Sequence, residues 1–258
     1  MRTLVRAVMV LATPALLAAQ APLEVGRLTF GPARQVAELD MGRLKGEPAR
    51  LAWSPDGTQL YFQSVEGGYG TPKATHHYLI DVASGKRADL QVEPEWFSPY
   101  WTVKSHKNSP DVPGLVIDLS TEQRREQTTA VPRGGDLARG GTTTELGTSA
   151  EDATKAAYGS QMVTTHTMKL KGEPIGEFVN SVIVPGLTFA WGPKGTQVIA
   201  YSTVKGGRLQ VMDAEGKKQE VPNTKDALLP AWSQDATKLA WLQKDGKRKL
   251  VLKIAEVR

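Results

Sequence analysis

The chain contains no cysteine among its 258 residues. That absence removes disulfides, thiolate metal sites and lipid-modified cysteines from consideration. Histidine is also scarce, with four in the whole chain, and none pair at a short ligand spacing such as His-x-x-x-His. No long apolar run is present: the longest, residues 7–17, falls short of the roughly 20 residues a membrane-spanning helix needs. Neither sign of charge dominates. The formal net charge of +5 drops to +3 once Arg2 and Arg6 are discounted, and so mild an excess calls for no nucleic-acid partner.

What is present begins with a leader. Arg2 and Arg6 precede the apolar run 7–17, and Ala18-Ala19-Gln20-Ala21 supplies small residues for cleavage. Residues 1–21 therefore read as a secretory signal peptide. Pro22 disfavours a cut directly after Ala21, which places the cut after Ala19. With no lipidated cysteine and no transmembrane anchor, the expectation is a periplasmic or secreted protein.

The body of the chain is organised by a repeat. Ala52-Trp53-Ser54-Pro55-Asp56-Gly57-Thr58 joins a short apolar strand, a tight turn and a second strand rich in aromatic and branched residues. The pattern returns as Ala190-Trp191-Gly192-Pro193-Lys194-Gly195-Thr196 and as Ala231-Trp232-Ser233-Gln234-Asp235-Ala236-Thr237. A copy without tryptophan occupies 149–158. Aligned on the tryptophan position, the last three stand at 149, 191 and 232, which are 42 and 41 residues apart. Trp96 lies 43 residues after Trp53, and residues 95–103 are read as another start, two aromatic strands around a shortened Ser-Pro turn. A rival register would begin at Ser109-Pro110-Asp111. A second motif, an apolar strand ending in aspartate and a polar turn, recurs at 78–87, 115–124 and 209–218, and favours the first register.

Units of about 42 residues with four antiparallel strands are the size of a propeller blade. One such sheet cannot bury both faces alone, whereas stacked neighbours can. The expected fold is therefore all-β, a single propeller over 22–258. Five blades are placed near 49–94, 95–132, 144–185, 186–227 and 228–258. A strand from 23–41 is expected to pair with the last blade and close the ring. Six blades result if both apolar pieces of 23–41 form one more. Residues 133–143, rich in glycine and threonine, read as a flexible insertion.

The Ala-Trp-Ser-Pro-Asp-Gly strand–turn–strand unit, followed by an apolar strand and Asp-x-x-x-Gly, resembles the WD40-like repeat of TolB-type β-propellers. The resemblance spans most of 50–258 and is strongest in the first, fourth and fifth expected blades. It implies an envelope scaffold that binds protein or peptide and is not an enzyme. TolB itself carries an additional N-terminal α/β domain that this sequence does not show.

Candidate binding residues lie where the repeat is broken. The recurring aspartates Asp56, Asp81, Asp118, Asp152, Asp213 and Asp235 occupy equivalent positions, so they read as turn caps and not as a catalytic pair. Ser160 lacks a Gly-x-Ser-x-Gly elbow, and residues 140–144 lack the lysine of a phosphate loop. The basic run 244–253 reads as strand residues flanking an Asp245-Gly246 turn. Longer, non-repeating loops are expected at 64–75, 104–113 and 160–165, all on one face of the disc. Tyr69, Lys104 and His106 fall in these loops and His76, His77 and His166 directly after them, and the six form the candidate binding face. Catalytic, cofactor and metal residues are expected to be none. The expected partner is an envelope protein or peptide bound by a monomer. The alternative is a small-ligand, hydrolytic or lyase propeller with its site on the same face.

Overall fold

A computed structural model describes residues 21–67, 72–127, 160–179, 188–203 and 207–258. The leader, Tyr69, the tryptophan-less repeat at 149–158 and the insertion at 133–143 lie outside the described residues.

The chain enters through β1 (Arg34–Asp40) and a one-turn helix α1 (Met41–Leu44). The first blade follows as β2 (Glu47–Trp53), β3 (Gln59–Glu66), β4 (Ala74–Asp81) and β5 (Arg87–Leu90), paired in that order. A helix α2 (Phe97–Lys104) comes next. Then β6 (Asp118–Gln127), β7 (Ser160–Leu170) and β8 (Glu173–Val179) form a three-stranded sheet. Strands β9 (Phe189–Trp191), β10 (Val198–Ser202), β11 (Leu209–Asp213) and β12 (Lys218–Glu220) make a further four-stranded blade. In the last, β13 (Ala227–Trp232), β14 (Lys238–Lys244) and β15 (Lys249–Glu256) are completed by β1, which pairs with β15 from Arg34↔Ile254 to Asp40↔Lys249.

The repeated turns have a common chemical cause. Ser54 Oγ donates to Asp56 Oδ1 at 2.5 Å and accepts from the Gln59 amide at 2.9 Å, while Thr58 N donates to the same carboxylate. The bonds recur at Ser233, Asp235, Thr237 and Lys238. Gly57 and Ala236 fill the same left-handed position, at φ 68° and 58°. The Trp191 copy has neither serine nor aspartate in its turn. Asp111 supplies the missing acceptor from elsewhere, with its Oδ2 2.9 Å from the Gly195 amide.

Sheets stack face to face, and each repeated tryptophan fills a junction. Trp53, Leu60, Phe62 and Ile80 of the first blade pack with Leu229, Ala231, Leu242 and Leu252 of the last. Trp232 and Trp241 of the last blade meet Ala190, Ala200 and Val211 of the next. Trp191, Ile199 and Tyr201 on the far face of that blade meet Leu170, Ile175 and Phe178. Stacked antiparallel sheets with radially placed tryptophans constitute a β-propeller arrangement.

Three expectations are corrected. The described residues form four sheets, not five or six, and these do not make a closed ring. The other face of the first blade is covered by α2 instead of another sheet, with Phe97 and Trp101 packed on Ala52 and Tyr61. The β1–β15 pairing completes the last sheet, but the four sheets of the described residues do not close a circle. Residues 96–106, expected as two strands, contain α2. Phe97, Trp101 and Lys104 are the buried positions, and their i, i+4, i+7 spacing is helical. Pro99 falls in the first turn, where an absent amide hydrogen costs no helical bond. Asp118, expected near the end of a third strand, instead begins β6 and pairs with Lys169.

Candidate functional site

The tight β2–β3 and β4–β5 turns lie at one end of the first blade. Its β3–β4 connection, the α1 crossing into β2 and the β14–β15 hairpin lie at the other. This second end is where the longer loops were expected, and it is built differently from that expectation. Residues 160–165 are the start of β7, not a loop, and His166 sits mid-strand with Nδ1 3.0 Å from Thr121 Oγ1. His76 and His77 are both within β4, so they point to opposite faces of the sheet.

His76 Nε2 lies 2.6 Å from Glu66 Oε1, a cross-strand pair near the hairpin end. His77 faces α2. Tyr61 Oη is 2.6 Å from His77 Nδ1 and receives a bond from Gln63 Nε2 at 3.1 Å. Burial pushes the Tyr61 phenol above its usual range, so the hydroxyl keeps its proton and is able to donate to an unprotonated Nδ1. Burial also lowers the His77 pKa, against the pull of the Glu93 carboxylate. Trp96 stands edge-on to Tyr61, and the Arg50 guanidinium lies over the rings of Phe97 and Trp101. The result is a neutral, rigid polar group set in an aromatic wall.

Lys104 and His106 serve a different place. Lys104 is buried at the end of α2, where its Nζ donates to the Gly192 carbonyl and lies 5.6 Å from the Tyr100 ring centroid. Burial lowers its pKa to about 7, and Asp111 opposes that shift. The His106 carbonyl accepts from Trp191 Nε1 at 2.7 Å. Both residues thus tie α2 and the segment after it to the Trp191 turn. Lys104 is not a surface contact. Among the described residues, no three histidine, aspartate or glutamate side chains are grouped to hold a metal ion.

The turn role expected of the recurring aspartates is seen at Asp56, Asp81, Asp213 and Asp235, but not at Asp118, which begins β6. Serine and backbone donors hold the Asp56 and Asp81 carboxyls below their usual range, and Asp213 Oδ1 accepts from Lys217 N. None of these aspartates joins the His77 cluster.

The sequence reading missed a pocket at the seam between the first and last blades. It has a volume of about 640 Å³. Met41, Leu228 and Leu250 contribute apolar surface, and Lys244, Lys247, Arg248 and Lys249 contribute cations. Its walls are tied together: Met41 N donates to Arg248 O at 2.8 Å, Tyr78 Oη to Leu44 O at 2.6 Å, and Ser64 Oγ to Lys45 O at 2.9 Å. The signal available in sequence was the Lys244 to Lys249 run, but its neighbours across the seam come from α1 and β2.

No protein-family model matches the chain, and comparison with curated proteins finds no match. Among solved structures, TolB from Acinetobacter baumannii is similar at 11% identity and TM-score 0.27, covering 83% of this chain and 55% of that one. The Dos1 propeller is similar at 11% identity and TM-score 0.21, with 80% and 41% covered. A functionally unknown protein from Desulfotomaculum acetoxidans DSM 771 is similar at 9% identity and TM-score 0.20, with 78% and 50% covered. The chain spans about half the length of the structures it matches.

Proposed function

We propose that the protein is an exported, non-enzymatic β-propeller scaffold that binds a protein or peptide partner in the cell envelope. The binding surface is the end of the molecule that carries the β3–β4 connection, the α1 crossing and the β14–β15 hairpin. The observation that carries this reading is the seam pocket, whose α1 wall is held to the last blade by the Met41–Arg248 backbone bond and to the first blade by bonds from Tyr78 and Ser64. A prearranged pocket with apolar lining and a polar rim lowers the ordering cost of binding. Export is supported by the composition of residues 1–21. No helix among the described residues is long and apolar enough to cross a membrane.

Photo-crosslinking tests the reading. A crosslinker at Lys247 should capture one discrete envelope partner in intact cells, and one at Thr58, on the tight-turn end, should not. Equal capture from both ends, or capture from neither, would refute it. Mass spectrometry of the mature protein should find an N-terminus at Gln20.

A second reading, small-ligand binding, is favoured by the Gln63–Tyr61–His77 chain beside Trp96 and Glu93. There the phenol remains protonated, so the group is suited to hydrogen bonding and not to taking a proton from a substrate. His77→Ala with unchanged partner capture but lost small-ligand binding would select this reading.

A further inference from the structure

We infer that the seam pocket is a receptor for an acidic peptide segment, whose carboxylates meet Lys244, Lys247 and Arg248 while its apolar side chains rest on Met41, Leu228 and Leu250. The inference rests on the partner-binding reading above and names the chemistry of the partner.

The charge balance at the pocket is uneven once ion pairs are assigned. Lys249 Nζ is committed to Glu38 at 2.8 Å, with Asp245 at 3.7 Å. Arg43, on α1 beside the pocket, is committed to Asp40 at 3.5 Å. Lys244, Lys247 and Arg248 are exposed and have no carboxylate partner among the described residues. Against these three, Glu47 is the single carboxylate lining the pocket. The hairpin gathers the cations through the Asp245 N to Lys249 O bond and Gly246 at φ 92°. Like charges held together in this way repel one another and gain when an anion arrives.

The lining selects among anionic partners. No aromatic ring lines the pocket, so it offers no stacking platform for nucleic-acid bases. The large apolar side chains most exposed on the described surface, Val92, Val103 and Leu119, lie elsewhere, so the rim carries no wedge for a lipid bilayer. Leu250 is buried and Leu228 half-buried beneath the cations. An acidic chain with interspersed apolar residues satisfies both layers.

Fluorescence anisotropy on the full chain tests this with three labelled peptides of equal length, alternating Glu-Leu, Gln-Leu and Lys-Leu. Glu-Leu should bind, and raising salt from about 0.05 M to about 0.5 M should weaken it about tenfold or more. The triple variant K244E/K247E/R248E should lose Glu-Leu binding and gain affinity for Lys-Leu. K244Q/K247Q/R248Q should bind Glu-Leu more weakly without that gain. All three substituted side chains are exposed, so thermal melts should coincide with the parent. Equal binding of Gln-Leu and Glu-Leu, or Glu-Leu binding insensitive to the triple reversal, overturns the acidic assignment but leaves partner capture by Lys247 crosslinking intact. Loss of capture at Lys247 refutes the scaffold reading whatever the peptides do.

Discussion

Replacing two equivalent tryptophans by phenylalanine should have unequal costs. Trp53 and Trp232 occupy the same place in two copies of the repeat, and both are fully buried. Trp53 Nε1 donates to the Ala231 carbonyl of the neighbouring blade at 3.0 Å, and Lys238 Nζ lies 5.6 Å from its ring centroid. Trp232 Nε1 is buried without any acceptor. The shrinkage from indole to phenyl costs about 1–2 kcal/mol at either position, through lost apolar burial and the void left behind. At Trp53 the lost interblade hydrogen bond adds about 1 kcal/mol. At Trp232 the substitution deletes a buried donor that had no partner, which returns about 1–3 kcal/mol. Trp53→Phe should therefore destabilise by about 2–3 kcal/mol, and Trp232→Phe by little or nothing. Urea melts followed by far-UV circular dichroism give both values from the midpoint shift and slope. Equal losses, or a larger loss at Trp232, would refute the assignment of the indole bond as the difference between the two junctions.

Lys104→Met should raise stability most below about pH 7. The folded-state pKa is about 7 against an ordinary 10.5, so between those values the unfolded chain holds a proton that the folded one has released. Parental stability therefore climbs as pH rises through that window, and urea midpoints of the Met variant should lack the climb. Glu93→Gln should depress the His77 pKa further, because Glu93 is the group that raises it; NMR titration of the imidazole would show this, and an upward shift would contradict the geometry. Because the His77 pKa is already lowered by burial, its share of stability falls as pH drops below the usual histidine value near 6.5. Asp111→Ala should cost about 1–2 kcal/mol, since it removes the acceptor for the Gly195 amide, and a denaturant midpoint unchanged from the parent would contradict that role.

The candidate site was only partly legible in the sequence. His77 stands out in the sequence because it breaks the repeat, whereas its partner Tyr61 sits inside a repeat copy and carries no such signal. The two meet because Tyr61 and His77 lie on the same face of adjacent antiparallel strands, with Gln63 directly opposite His77. Lys104 was marked as a surface cation, yet helical spacing with Phe97 and Trp101 turns it inward. Tyr69 stands outside the described residues. The seam pocket was illegible because its halves come from Met41 to Pro48 and from Leu228 to Leu250, segments brought together only by interblade packing.

The sequence by itself determined the unit. A tryptophan, a four-residue turn and a branched second strand carry local chemistry strong enough to specify a hairpin wherever they occur, and their spacing specified stacked sheets. Only the tertiary structure decided how many sheets the described residues form and which segment covers the first blade. Those outcomes depend on distant partners: a helix whose Phe97 and Trp101 find Tyr61 and Ala52, and an Asp111 that completes a turn 84 residues away. Local propensity determines a hairpin, but the face it buries is chosen by whatever apolar surface the rest of the chain delivers to it.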